Sequence, residues 1–97
     1  MIRVKVRRRG GDILVAVRDE GLLGQLLKDG DLRLDVSEEF YGGDNGDEEM
    51  LLNRLAAAKL ANLVGKEVCR IAAEHDYIDQ GCLITIQGVP HAQMVRY

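Results

Sequence analysis

Arg3, Lys5 and Arg7 stand at alternate positions near the start of the chain, followed by Arg8 and Arg9 and then by Arg18. On an extended strand this spacing puts the first three side chains on one face, about 7 Å apart. A row of cations at that pitch suits a sugar-phosphate backbone, because guanidinium groups grip phosphate through paired N–H donors. Arg3, Lys5, Arg7, Arg9 and Arg18 are therefore the candidate nucleic-acid-binding residues. The same row is also what a protein places on a solvated edge strand to discourage association between sheets.

Other groups are weaker candidates. The acidic stretch Asp44-Asn45-Gly46-Asp47-Glu48-Glu49 invites a calcium reading. An EF-hand loop needs its glycine five residues after the first ligand, and Gly46 comes two after Asp44. A solvated helix start fits better, since carboxylates there meet the positive end of the helix dipole. Gly65-Lys66 resembles the end of a phosphate-binding loop. However, Leu60 stands where that loop needs glycine, and Glu67 where it needs Ser or Thr. His75 belongs to an apolar helical stripe. His91 follows Pro90 beside two expected strands and could serve as an acid or base, although no nucleophile accompanies it. Two cysteines and two histidines at these spacings make no zinc site, so no metal or cofactor is implied. Both thiols read as small buried hydrophobes. Phe40 and Tyr41 are adjacent, before Gly42-Gly43. The expectation is that Phe40 plugs the core and Tyr41 stays open to stacking on a base or filling a partner's pocket. Asn62, beside an apolar stripe, is expected to tie backbone at a helix break.

What must position these groups is a short chain. Its 97 residues are 46% apolar and 30% charged, which suits one folded domain over 1–97 and excludes disordered and fibrous classes. The longest apolar run, Ile13 to Val17, is five residues. That is too short for a signal-peptide core or for a membrane span of about 20 residues. A cytoplasmic protein is the expectation. Net charge is −3, unevenly distributed: +4 over residues 1–28, −8 over 29–49 and +1 over 50–97. A basic end and an acidic middle suggest two surfaces, or one neutralising the other.

Ile2, Val4 and Val6 alternate with cations, and Gly10-Gly11 makes a two-residue turn into Ile13–Val17. That turn sets Val6 opposite Val15 and Val4 opposite Val17, and on the other face Arg7 opposite Leu14, Lys5 opposite Ala16 and Arg3 opposite Arg18. The patterning predicts a short helix over 20–28, a strand over 32–36 and an irregular stretch over 37–49. A helix over 48–64, a second over 66–75, a strand over 82–86, a tight connection at 88–91 and a strand over 93–97 complete it. The order ββαβααββ implies an α+β fold: a mostly antiparallel sheet of about five strands with helices packed on one face.

Three strings then stand out together: Ser37-Glu38-Glu39-Phe40-Tyr41-Gly42-Gly43, Ala61-Asn62-Leu63-Val64-Gly65 and Gly88-Val89-Pro90-His91-Ala92-Gln93. With the opening hairpin and the Val15-Ala16-Val17 strand, the chain resembles the archaeal domain-of-unknown-function family 424 over essentially its whole length. The resemblance implies a small archaeal cytoplasmic protein accompanying translation and RNA-related genes. It carries no established activity. It singles out Tyr41, Gly42, Gly43, Asn62, Pro90, His91 and Gln93 as matching motif positions without giving them roles.

The leading expectation is a non-enzymatic module that binds RNA or a ribonucleoprotein through the basic hairpin, with Tyr41 and His91 supplying stacking or base-edge contacts. The second is an adaptor docking on a basic protein through the acidic segment 35–49. The third, ranked last, is a small enzyme using His91 with a carboxylate of the acidic loop, which requires one pocket where both meet.

Overall fold

The alternation at the start of the chain produces the expected hairpin. Strand β1 (Ile2–Arg9) pairs antiparallel with β2 (Asp12–Asp19) around Gly10-Gly11, in the computed structural model, which describes residues 2–96. Val6 faces Val15, Val4 faces Val17, Lys5 faces Ala16 and Arg3 faces Arg18, the register predicted from the turn. Ile2, Val4, Val15 and Val17 are buried on one face, while Arg3, Lys5, Arg7 and Arg9 take the other.

Beyond β2 the chain departs from the pattern. The stretch 20–28 is not a helix. Gly21 and Gly24 adopt φ of 92° and 83°, which a right-handed helix does not tolerate. Leu26 and Leu27 instead enter β3 (Leu26–Asp29), which forms a separate two-stranded sheet with β4 (Leu32–Asp35). The irregular stretch 37–49 holds a four-residue helix, α1 (Glu38–Tyr41), and a three-residue strand, β5 (Asp44–Gly46), on the outer edge of β1.

Helix α2 (Glu48–Ala57) starts as the acidic cluster foretold: the Asp47 carboxylate accepts from Met50 N–H at 2.9 Å. It ends at Ala57, seven residues early. Lys59 N–H bonds Ile13 C=O at 2.9 Å, and Leu60–Val64 becomes strand β6, parallel to β2. Its inner residues Ala61, Leu63 and Val64 are fully buried. Apart from Asn62 the strand is apolar, as suits a central strand that is largely covered, and its leucines continued the stripe of the helix before it. Helix α3 (Lys66–Glu74) follows as expected, and a short 3-10 turn at Gln80–Cys82 leads into β7 (Ile84–Ile86). Gln87-Gly88 turns the chain into β8 (Val89–Val95), so Pro90 and His91 lie within a strand and not in a connection. Tyr97, the end of the expected last strand, lies outside the described residues.

The main sheet runs β5-β1-β2-β6-β8-β7. The fold is α+β; among the described residues its main sheet has six strands rather than five and one parallel pairing, β2 with β6. Helices α2 and α3 cover one face, over a core that includes Val17, Leu51, Leu55, Leu63 and Val68. The other face is covered too, but by α1 and the β3–β4 hairpin, which enclose Ala16, Leu27, Val36, Tyr41, Val64 and Ile86. This second layer is small. It leaves the sheet open toward the Gly10-Gly11 end, where Arg7, Leu14, Leu60 and Val95 are aligned across four strands. Among the described residues no helix is long and apolar enough to cross a membrane.

Candidate nucleic-acid interface

The open part of the sheet is walled on one side by α1, and the cations themselves hold that wall in place. In a helix of four residues most carbonyls lack a partner within the helix; here Glu38 C=O has one, accepting from Gly42 N–H at 2.8 Å. Lys5 Nζ and Arg7 Nη2 both donate to Glu39 C=O, and Lys5 Nζ lies 3.5 Å from Glu38 C=O. Arg18 Nε donates to Tyr41 C=O at 3.0 Å. Ser37 Oγ caps the other end by accepting from Phe40 N–H. The Arg7 guanidinium sits 5.1 Å from the Phe40 ring centroid, and Phe40 meets Tyr41 edge-on at 4.8 Å. Gly43 then passes so close to β1 that a Cβ would lie 2.3 Å from Val4 C=O. Only a residue without a side chain brings the segment against the strand edge and into β5.

Between this wall and β6 lies a cleft of about 320 Å³. Leu14, Ala16 and Leu60 form its floor, Lys5, Arg7, Arg8 and Arg9 line its cationic side, and Asn62 lies at the far side of the floor from Phe40. Arg8 and Arg9 are exposed. Four cations on an apolar floor beside an aromatic ring can take a phosphate together with a flat apolar group.

The expected cations thus have different fates. Lys5, Arg7 and Arg9 reach the cleft, and Arg8 joins them. Arg3 is paired with Glu20 at 2.9 Å. Arg18 is 5% exposed and its guanidinium donates to the carbonyls of Tyr41 and Asp19, so it ties the two layers together. The two aromatics exchange places relative to expectation. Tyr41 is 2% exposed and plugs the second core, whereas Phe40 is 37% exposed at the cleft. Cys69 is buried as expected, but Cys82 is exposed.

The three strings converge. Asn62 on β6 faces Gln93 on β8, and Gln93 Nε2 donates to Asn62 Oδ1 at 3.4 Å. Gly65 N–H donates to Pro90 C=O at 2.9 Å. Arg18 joins Tyr41 to the same face, and the buried Gly42 follows directly. Asn62 ties no helix break; it belongs to a strand. His91 is half-buried with Nδ1 2.9 Å from Leu63 C=O, and since a carbonyl only accepts, Nδ1 carries the proton and donates it. His91 on β8 and Asp44 on β5 are four strand spacings apart, about 19 Å. The enzyme reading needs a carboxylate of that segment beside the imidazole. Among the described residues no group of three or more His, Cys, Asp or Glu could hold a metal ion.

Asp19 escaped notice in the sequence. Its carboxylate accepts from Glu67 N–H and Val68 N–H, each at 2.9 Å, and so caps α3. The one available signal was an acid ending an otherwise regular strand.

Burial raises the Tyr41 phenol from 10.0 to about 12. The neutral form is favoured in the folded state, so its stability contribution is complete below pH 10 and is lost as pH rises through about 12. At pH 11, one unit above the unfolded value, the expected loss from Tyr41 is about 1.4 kcal/mol. Burial raises the Cys69 thiol to about 12 as well, which adds a decline of the same sign. Tyr41→Phe should leave stability at pH 7 within about 0.5 kcal/mol of wild type and remove the Tyr41 share of the alkaline loss. Urea unfolding at pH 7 and pH 11 measures both; equal alkaline losses in the two proteins would contradict it.

The fold and site define a small α+β protein with a cationic cleft on the open half of a mixed sheet. The chain belongs to the family described as Protein of unknown function (DUF424), whose model matches residues 6–97. Its fold is similar to that of an uncharacterized conserved protein from the archaeon Methanopyrus kandleri, known from a crystal structure. The TM-score is 0.79 at 23% identity, covering 99% of this chain and 94% of that one. No curated protein matches it significantly in sequence.

Proposed function

We propose that the cleft binds RNA, free or on a ribonucleoprotein, and that the protein is a cytoplasmic binding module and not an enzyme. The observation that carries this reading is the composition of the cleft: Lys5, Arg7, Arg8 and Arg9 along an apolar floor with Phe40 exposed at its wall. Phosphate groups suit the cations and a nucleobase suits the floor. The family resemblance adds the expectation that the RNA is translation-linked. The net charge of −3 favours local rather than indiscriminate binding, because the bulk of the surface repels a polyanion.

The test is a salt titration of binding to a bulk RNA mixture. Lys5 and Arg7 also hold α1, so the informative variant is Arg8→Glu/Arg9→Glu, which changes two exposed residues. Wild type should bind with log affinity falling linearly in log salt, and removing two phosphate contacts should lower that slope by about 1.4 for single strands. A variant that binds like wild type, or a wild type that fails to bind at low salt, overturns the reading. In the second case, pull-down of basic proteins with and without charge reversal in the acidic segment 35–49 becomes the measurement that matters.

A further inference from the structure

Resting on that reading, we infer that the cleft takes one unpaired base of a single-stranded RNA and that the Asn62–Gln93 amide pair reads its edge. The sheet register aligns Lys5, Ala16, Asn62 and Gln93 in one row across β1, β2, β6 and β8. The neighbouring row is Arg7, Leu14, Leu60 and Val95. A cationic end, an apolar middle and a pair of amides thus follow one another across about 14 Å of sheet. That is the order of parts in a nucleotide: phosphate, then ring face, then hydrogen-bonding edge.

The amide pair is oriented for such an edge. Gln93 Nε2 donates to Asn62 Oδ1, which leaves the Asn62 Nδ2 donors and the Gln93 Oε1 acceptor uncommitted. A donor beside an acceptor complements the edge of a nucleobase. Asn62 is half-buried and lines the cleft, while Gln93 is exposed. A groove that served phosphate alone would gain nothing from this pair or from the leucine floor.

Shape separates single strands from duplexes. The base edges of an A-form duplex lie in a deep, narrow major groove or along a shallow minor one. Neither can reach the sheet floor behind the α1 wall, whereas a splayed base can. The volume of about 320 Å³ is at the small end of ligand sites, which fits one nucleotide and not a stacked run. Arg8 and Arg9 then meet the flanking phosphates.

The experiment is fluorescence anisotropy with a single-stranded RNA, the same strand annealed to its complement, and a free ribonucleoside monophosphate. It compares wild type with Asn62→Leu and Gln93→Leu, each checked for folding by circular dichroism. The single strand should bind at least about tenfold tighter than the duplex, and each leucine variant should lose about five- to a hundredfold in single-strand affinity. Both variants should keep the wild-type salt slope, because no phosphate contact is removed, and should lose preference among homopolymers. Gln93 is exposed, so its variant carries the test if Asn62→Leu does not fold. Equal binding of duplex, or unchanged affinity in the variants, overturns the base reading while leaving salt-dependent RNA binding in place. A free nucleotide binding as tightly as the oligonucleotide replaces RNA by a mononucleotide as the ligand. No binding of any RNA overturns both this inference and the function on which it rests.

Discussion

Replacing Gly65 by alanine should destabilise the protein by about 3 kcal/mol or more, from backbone strain, steric overlap and a weakened cap together. Gly65 adopts φ 120° and ψ 158°, a region that is essentially closed to residues with a Cβ. A Cβ there would lie 2.3 Å from Asp19 Cγ and 2.5 Å from Asp19 Oδ2. Asp19 cannot yield cheaply, because its two carboxylate oxygens bond the first free N–H groups of α3. The glycine and the aspartate are therefore one device: close approach of the backbone seats the carboxylate on the helix end. Asp19→Ala alone should cost about 1 to 2 kcal/mol, the usual range for a lost cap. The double variant should cost less than the sum of the two, since deleting the carboxylate relieves the overlap. Urea unfolding of the four proteins measures the cycle. Strict additivity would show that the two residues act independently.

Arg18→Ala is expected to cost about 2 to 4 kcal/mol, through unpaired buried carbonyls and a cavity. The guanidinium is buried and donates to Tyr41 C=O at 3.0 Å and to Asp19 C=O at 3.2 Å. Burial pulls its pKa below the ordinary arginine value, and the neighbouring Arg3 acts in the same direction. The wall formed by 37–43 should also loosen, seen as faster amide exchange at Tyr41 and Gly42. Arg18→Lys should recover only part of the loss, because an ammonium cannot reproduce the planar fork. If Arg18 touched phosphate instead, Arg18→Ala would lower the salt slope of RNA binding by about 0.7 at unchanged stability. That outcome would return it to the row of binding cations.

The contrast between Arg18 and Arg9 shows what a sequence can and cannot rank. Both were candidates on charge alone. Which of them meets solvent depends on α1, whose Tyr41 lies 23 residues from Arg18, and no local pattern encodes that approach. Phe40 and Tyr41 make the same point. Either ring could fill the core, and the choice follows from how the short helix is turned by Lys5, Arg7 and Arg18.

What the amino-acid sequence determined by itself is local. The β1–β2 register followed from a two-residue turn and period-two alternation. The start of α2 followed from acids at a helix N-terminus, and α3 from a helical stripe. Each rests on interactions spanning a few residues. Tertiary structure decided the rest, where one apolar pattern fits two conformations or one charge fits two roles. Leu22 to Leu27 suits a helix until the positive φ of Gly21 and Gly24 and pairing with β4 claim it for a hairpin. Leu60 to Val64 reads as helix until β2 and β8 pair on either side. That pairing also sets Asn62 beside Gln93 and in one row with Lys5, so the cleft exists because distant strands share backbone hydrogen bonds, a relation that spacing along the chain does not record.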